Sequence, residues 1–155
     1  MRNSRTDWTL FFRELTYLMR DFPDAKSTDY EAMLSALEGD ESSRPGSSTF
    51  YEPLTPELRE KWLEWIKTWR TSLASSGSVE TAYDRMLKTN PKYVLREWML
   101  VDAYSSAANG EEAELFDLYS LIKKPYEEGS TREQEKYYRR APDEALRAGG
   151  TAFMS

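Results

Sequence analysis

The chain has 155 residues, enough for one modest domain, and its 39% hydrophobic and 31% charged content is that of a globular protein. It contains no Cys and no His, which excludes disulfides, thiol catalysis, the usual zinc sites and an imidazole general base. A net charge of −6 repels nucleic acid, and no run approaches the roughly 18 apolar residues of a membrane span.

Mean hydropathy is −0.75, so the core has to be thin or shared. Five Trp, ten Tyr and six Phe bury large areas from few positions and speak against disorder. The first helix is read from Trp8, Phe11, Phe12, Leu15, Leu18, Met19 and Phe22, which share one helical face. Asp7 is its expected N-cap and Pro23 its stop. Before it, Met1 to Arg5 is weakly basic, but Asp7, Glu14 and Asp21 follow closely, so no targeting peptide is expected. A short second helix is read over Asp29 to Leu37, with Thr28 and Glu31 at capping-box spacing and Gly39 as the stop. Asp40 to Ser48 reads DESSRPGSS, without an apolar side chain, and predicts a flexible loop over about residues 39–54.

Thr55-Pro56 is a strong helix start. Leu58, Trp62, Trp65, Ile66, Trp69 and Leu73 then share a face out to about Ala74, where SSGS breaks the pattern. Val79 to Lys88 follows, with Ala82, Met86 and Leu87 inward. Asn90-Pro91 repeats the start signal and predicts a helix capped by Asn90 and running through Tyr93, Val94, Leu95, Trp98, Met99, Val101 and Tyr104 to about Asn109-Gly110. A sixth helix, Glu111 to about Lys123, is expected to bury Ala113, Leu115, Phe116, Leu118, Tyr119 and Leu121 or Ile122. From Glu127 the pattern weakens to possible short turns at Glu133 to Arg139 and Asp143 to Arg147, and Gly149-Gly150 and the last five residues look extended. The expectation is therefore an all-α fold of about six helices, a helical region over 1–126 and a loosely ordered tail over 127–155.

Few residues invite a chemical reading. There is no glycine-rich or Walker-type phosphate loop. Asp21-Phe22-Pro23 imitates a kinase Asp-Phe-Gly but lacks the glycine and lies at a helix end. Glu111, Glu112 and Glu114 open a helix, where the dipole favours carboxylates without any metal. The basic run Lys136 to Arg140 is interleaved with Tyr137 and Tyr138 and reads as a solvated face. No catalytic, cofactor-binding or metal-ligating residue is expected. What remains is a possible docking surface: the row Trp62, Trp65 and Trp69, and the polar residues Asn90, Lys92 and Arg96. For the last three the plainer reading is a cap, a solvated lysine and an ion pair with Glu97 or Asp102.

The run Asn90-Pro91-Lys92-Tyr93-Val94-Leu95-Arg96, continuing Glu97-Trp98-Met99-Leu100, resembles a characteristic stretch of the selenoprotein O (SelO) family. The order of its other segments is also similar: Asp7-Trp8-Thr9-Leu10-Phe11-Phe12-Arg13 before it, then an acidic, Ala-rich helix over Ala107 to Leu121, Pro125-Tyr126-Glu127, and Pro142-Asp143. The resemblance covers nearly the whole chain apart from the loop around Asp40 to Pro53. It implies the C-terminal helical part of a protein-kinase-like (pseudokinase) fold, whose full-length members transfer AMP from ATP, with a divalent metal such as Mg, to protein Ser, Thr or Tyr hydroxyls. It implies an upstream kinase-like lobe as partner, protein substrates for the whole, no nucleic acid or membrane, and a mitochondrial address in eukaryotic members. The nucleotide site of that family lies upstream of everything in this chain. Its terminal Cys or selenocysteine would follow about where Phe153-Met154-Ser155 stands. The alternative is a stand-alone helical protein-interaction module.

Overall fold

A computed structural model describes residues 4–24, 26–76 and 79–147. The sequence-based expectations for Gly149-Gly150 and the last five residues lie outside these. Helix α1 (Trp8–Asp21) starts where the Asp7 carboxylate accepts from the Leu10 amide, and ends as the Phe22 amide closes onto the Leu18 carbonyl. Its Phe11, Leu15 and Leu18 join Met33, Leu34 and Leu37 of α2 (Tyr30–Glu38) and Trp62 and Ile66 of α3 (Pro56–Ser75) in one core cluster. Its Leu10 and Tyr17 face a second cluster with Tyr93, Trp98, Met99 and Ala103, Leu118 and Leu121, and Tyr137, Tyr138 and Ala141. α1 is thus the partition between two half-cores, and this is why Arg13, Thr16 and Tyr17, polar positions outside the apolar stripe, are buried as well.

The remaining helices are α4 (Val79–Thr89), which packs on α1, the pair α5 (Glu97–Ala108) and α6 (Ala113–Ile122), then α7 (Thr131–Tyr137) and α8 (Asp143–Arg147). The fold is all-α as expected, but with eight helices among the described residues rather than about six. The two added helices are α7 and α8, where the apolar periodicity is weakest. A capping box between Ser130 and Glu133 begins α7. Beyond the helices, the described residues hold one isolated antiparallel bridge, Thr6 to Phe50.

Three expectations need correction. The segment from Pro91 to Arg96 is not helical, and α5 begins only at Glu97. The amides of Lys92 and Tyr93 both turn to the Pro125 carbonyl, at 2.7 and 3.2 Å, and the Asn90 side chain donates to α1 instead of capping. These long-range bonds override a good local start signal. In α2 the capping residue is Asp29, not Thr28. In α6, Ala113, Phe116 and Tyr119, expected to be buried, are exposed, because the helix turns the narrower stripe of Leu118 and Leu121 inward.

In the stretch 39–54, Asp40 to Ser43 form a turn capped by the Asp40 carboxylate. Ser47 to Phe50 are buried, with the Thr49 amide on the Leu37 carbonyl at 2.9 Å. Gly39 makes this return possible: at φ +66° and ψ 177° it occupies backbone space reserved for glycine, and a Cβ there would lie 2.8 Å from the Ser47 backbone.

Candidate functional site

Arg13 is fully buried on α1 and all five of its N–H directions are used. Nε donates to the Tyr17 hydroxyl (3.0 Å), Nη1 to the carbonyls of Leu87 (3.2 Å) and Asn90 (2.9 Å), and Nη2 to the Tyr126 carbonyl (3.1 Å) and the Glu128 carboxylate (2.6 Å). The planar guanidinium fork is suited to this task. It ties α1 to the end of α4 and to the turn after α6. Glu128 also accepts from Lys92 Nζ (2.7 Å) and the Tyr17 hydroxyl (2.7 Å). Lys92 is 2% exposed, and its ammonium lies over the rings of Tyr138, Tyr17 and Tyr93 at 4.7, 5.8 and 5.9 Å. Burial pulls its pKa down despite the Glu128 partner. Burial also pushes the Tyr17 phenol well up.

A second pair lies at the opening of α1. Arg96 donates from Nη1 and Nη2 to both Asp7 oxygens, at 2.6 and 2.8 Å, with both side chains buried. The same carboxylate caps α1 and accepts from the Tyr51 hydroxyl. One aspartate therefore fixes a helix start, the loop after residue 49 and the non-helical segment before α5.

The Trp row divides. Trp62 is buried against Phe11 and Phe50, with ring centroids 5.3 and 5.2 Å away. Trp65 is 37% exposed and stacks on the half-buried Trp69 at 5.9 Å and 5°. The structure thus does not bring the predicted residues to one surface: Trp65 and Trp69 border solvent, while Asn90, Lys92 and Arg96 turn inward. Lys92 is not solvated, and Arg96 pairs with Asp7 rather than Glu97 or Asp102. The basic run after Lys136 is not a solvated face either. Lys136 pairs with Glu114 and Arg140 with Glu41, and Tyr137 and Tyr138 are buried. Sequence reasoning missed Arg13, Tyr17 and Glu128. The available signal was an Arg and a Tyr one helical turn apart on a helix whose apolar stripe predicts only one buried face.

The network has an acid signature. Glu128 is itself penalised by partial burial, but the hydrogen bonds from Lys92, Tyr17 and Arg13 outweigh this and hold its carboxyl at about 2, against an ordinary 4.5. A depressed carboxylate pKa stabilises the fold above the unfolded value and loses that contribution as pH falls through the folded value. The melting temperature of the wild type should therefore exceed that of Glu128→Gln at neutral pH. The gap should close between pH of about 4.5 and about 2. A gap independent of pH over that range would show that the glutamate is not held this way. Using the difference removes Asp40, whose carboxyl is also held at about 2, in its case by the Ser42 and Ser43 hydroxyls and amides.

These polar atoms satisfy one another, which is the signature of a structural joint. Among the described residues no group of three or more His, Cys, Asp or Glu side chains is placed to hold a metal ion, and no helix is long and apolar enough to cross a membrane.

Comparison with known proteins gives a consistent result. The chain is 30% identical over 98% of its length to a protein nucleotidyltransferase YdiU of Flavobacterium johnsoniae, covering 26% of that protein. It is 24% identical over 100% of its length to one of Nitrosospira multiformis, covering 29% of it. It is 28% identical over 100% of its length to one of Xanthomonas euvesicatoria, covering 26%. The chain thus spans about a quarter of the length of the curated relatives it matches. No family model matches it, and no solved structure does. Across nearly all its length the chain matches the C-terminal region of the YdiU/SelO family of protein nucleotidyltransferases, as the run from Asn90 to Arg96 implied.

Proposed function

We propose that this chain is a non-catalytic helical part of a SelO-like protein nucleotidyltransferase, one that supports a kinase-like lobe while that lobe transfers AMP from ATP, with a divalent metal such as Mg, to protein hydroxyls. The observation that carries the reading is the match over 98% of the chain to about a quarter of a protein nucleotidyltransferase. Two features support a supporting role. The polar residues of the most family-like run are used within the chain's own joint, and the exposed Trp65 with its stacked neighbour Trp69 leaves an apolar face for a partner lobe. The relatives named above are bacterial, so no organelle is proposed.

A segment exchange tests this. In the Flavobacterium johnsoniae relative, the matching segment is deleted in one version and replaced by this chain in another. Transfer of label from ATP carrying 32P on its α-phosphate to protein is then followed. The deletion should lose labelling and the exchange should restore it, while the 155-residue chain alone shows no saturable Mg-ATP binding in calorimetry. Full activity of the deletion, or saturable micromolar ATP binding by the chain, would overturn the proposal and favour an independent module.

A further inference from the structure

The segment between Tyr93 and α5 belongs to no helix and leaves part of its backbone unpaired. Its two ends are anchored, Tyr93 by burial and by its hydroxyl on the Glu128 carbonyl, and Arg96 by the Asp7 carboxylate. Between these anchors, Val94 and Leu95 are 42% and 46% exposed. The backbone amides of Val94, Leu95 and Arg96 have no hydrogen-bond partner among the described residues. Arg96 is extended, at φ −126° and ψ 151°. Beside the segment lies a cavity of about 190 Å3, walled by Val94, Leu95, Tyr51, Thr9 and Trp8, with Thr6 and the mutually paired Asp7 and Arg96 also on its lining. Trp8 is 62% exposed and is steadied by Phe12, 5.2 Å away.

We propose that this edge is a docking site for an extended peptide segment of another protein, which pairs with the backbone at Val94 to Arg96 and places one large apolar side chain in the cavity. The cavity volume favours a side chain over a metabolite, since small-molecule sites usually enclose about 300–1,000 Å3. Free donors running into the extended Arg96 favour strand addition, in which main-chain bonds give affinity and side-chain pockets give selectivity. Charge sets the sign of the partner. Glu97, the next residue, is exposed and makes no ion pair among the described residues, and the whole chain carries −6. The fitting peptide is apolar at its centre and basic at its flanks. The inference stands on these residues alone and does not depend on the nucleotidyltransferase reading.

The test uses the 155-residue chain and a fluorescein-labelled hexapeptide, Lys-Thr-Leu-Val-Thr-Lys, read by fluorescence anisotropy. A second version is N-methylated on alternate backbone nitrogens, which keeps every side chain and removes the strand hydrogen bonds. The unmodified peptide should bind saturably and about tenfold tighter than the methylated one, the weight of two ordinary hydrogen bonds. Trp8→Ala, at an exposed position, should weaken binding while the far-UV circular dichroism of the chain stays unchanged. Glu97→Lys should weaken it further and reduce its salt dependence. No saturable binding, equal binding of the two peptides, or indifference to both substitutions would overturn the proposal. So would a concentration-dependent dimer that Trp8→Ala abolishes, since the edge would then belong to a second copy.

Discussion

Replacing Arg96 by Met is expected to cost about 3–5 kcal/mol of stability, because it leaves the Asp7 carboxylate buried without its cation. The pair is bidentate and both partners are buried, so the value for an exposed ion pair, at most about 1 kcal/mol, does not apply. For a chain of this size the loss corresponds to a fall in Tm of about 6–20 °C, at roughly 2–4 °C per kcal/mol. Calorimetry of the single and double variants separates the pair from its surroundings. Asp7→Asn keeps an oxygen for the Leu10 amide, so Asp7→Asn with Arg96→Met should cost less than the two single changes added together, by more than about 1 kcal/mol. Simple additivity would show that the two side chains act separately.

Arg13→Met should destabilise by a similar amount, about 3–5 kcal/mol, for a different reason. The loss would leave the carbonyls of Leu87, Asn90 and Tyr126 without their shared donor. Glu128 is half exposed and recovers part of its solvation from water. The informative variant is Arg13→Lys. It keeps the charge but offers three donors on one atom in place of five on a planar fork, and should still lose about 2 kcal/mol of urea-measured stability. Amide exchange should then show the turn over residues 123–130 opening ahead of α2 and α3. A lysine variant as stable as the wild type would mean that charge, not geometry, holds the joint.

The sequence shows the helices that stand on local signals and hides those that do not. Asp7, Thr55-Pro56 and the stop at Pro23 act within a few residues of themselves, and α1 and α3 begin and end close to where these place them. Asn90-Pro91 is an equally good signal and misleads, because the amides it would commit to a helix are taken by Pro125, over 30 residues on. The docking residues were legible as individuals but not as an assembly. An aromatic row at helical spacing says that a face is apolar. It does not say that Trp62 meets Phe11 and Phe50 while Trp65 borders solvent. Arg13 was the least legible residue. Nothing within a turn or two of it requires a buried guanidinium, since its backbone and carboxylate partners lie 74–115 residues away.

That separation has a consequence for how the protein is made. Glu128 follows Arg13 by 115 residues. At about 5–20 residues per second, roughly 6–23 s of synthesis pass before it leaves the ribosome. During that interval α1 can close its half-core with α2 and α3, but the guanidinium on its other side has none of its distant acceptors. The N-terminal half is therefore expected to wait as a soft, partly collapsed species with Tyr17 and Leu10 uncovered. It should become a stable client-free fold only when the turn after α6 arrives, so chaperone dependence in cells should track the time taken to translate residues 90 to 140.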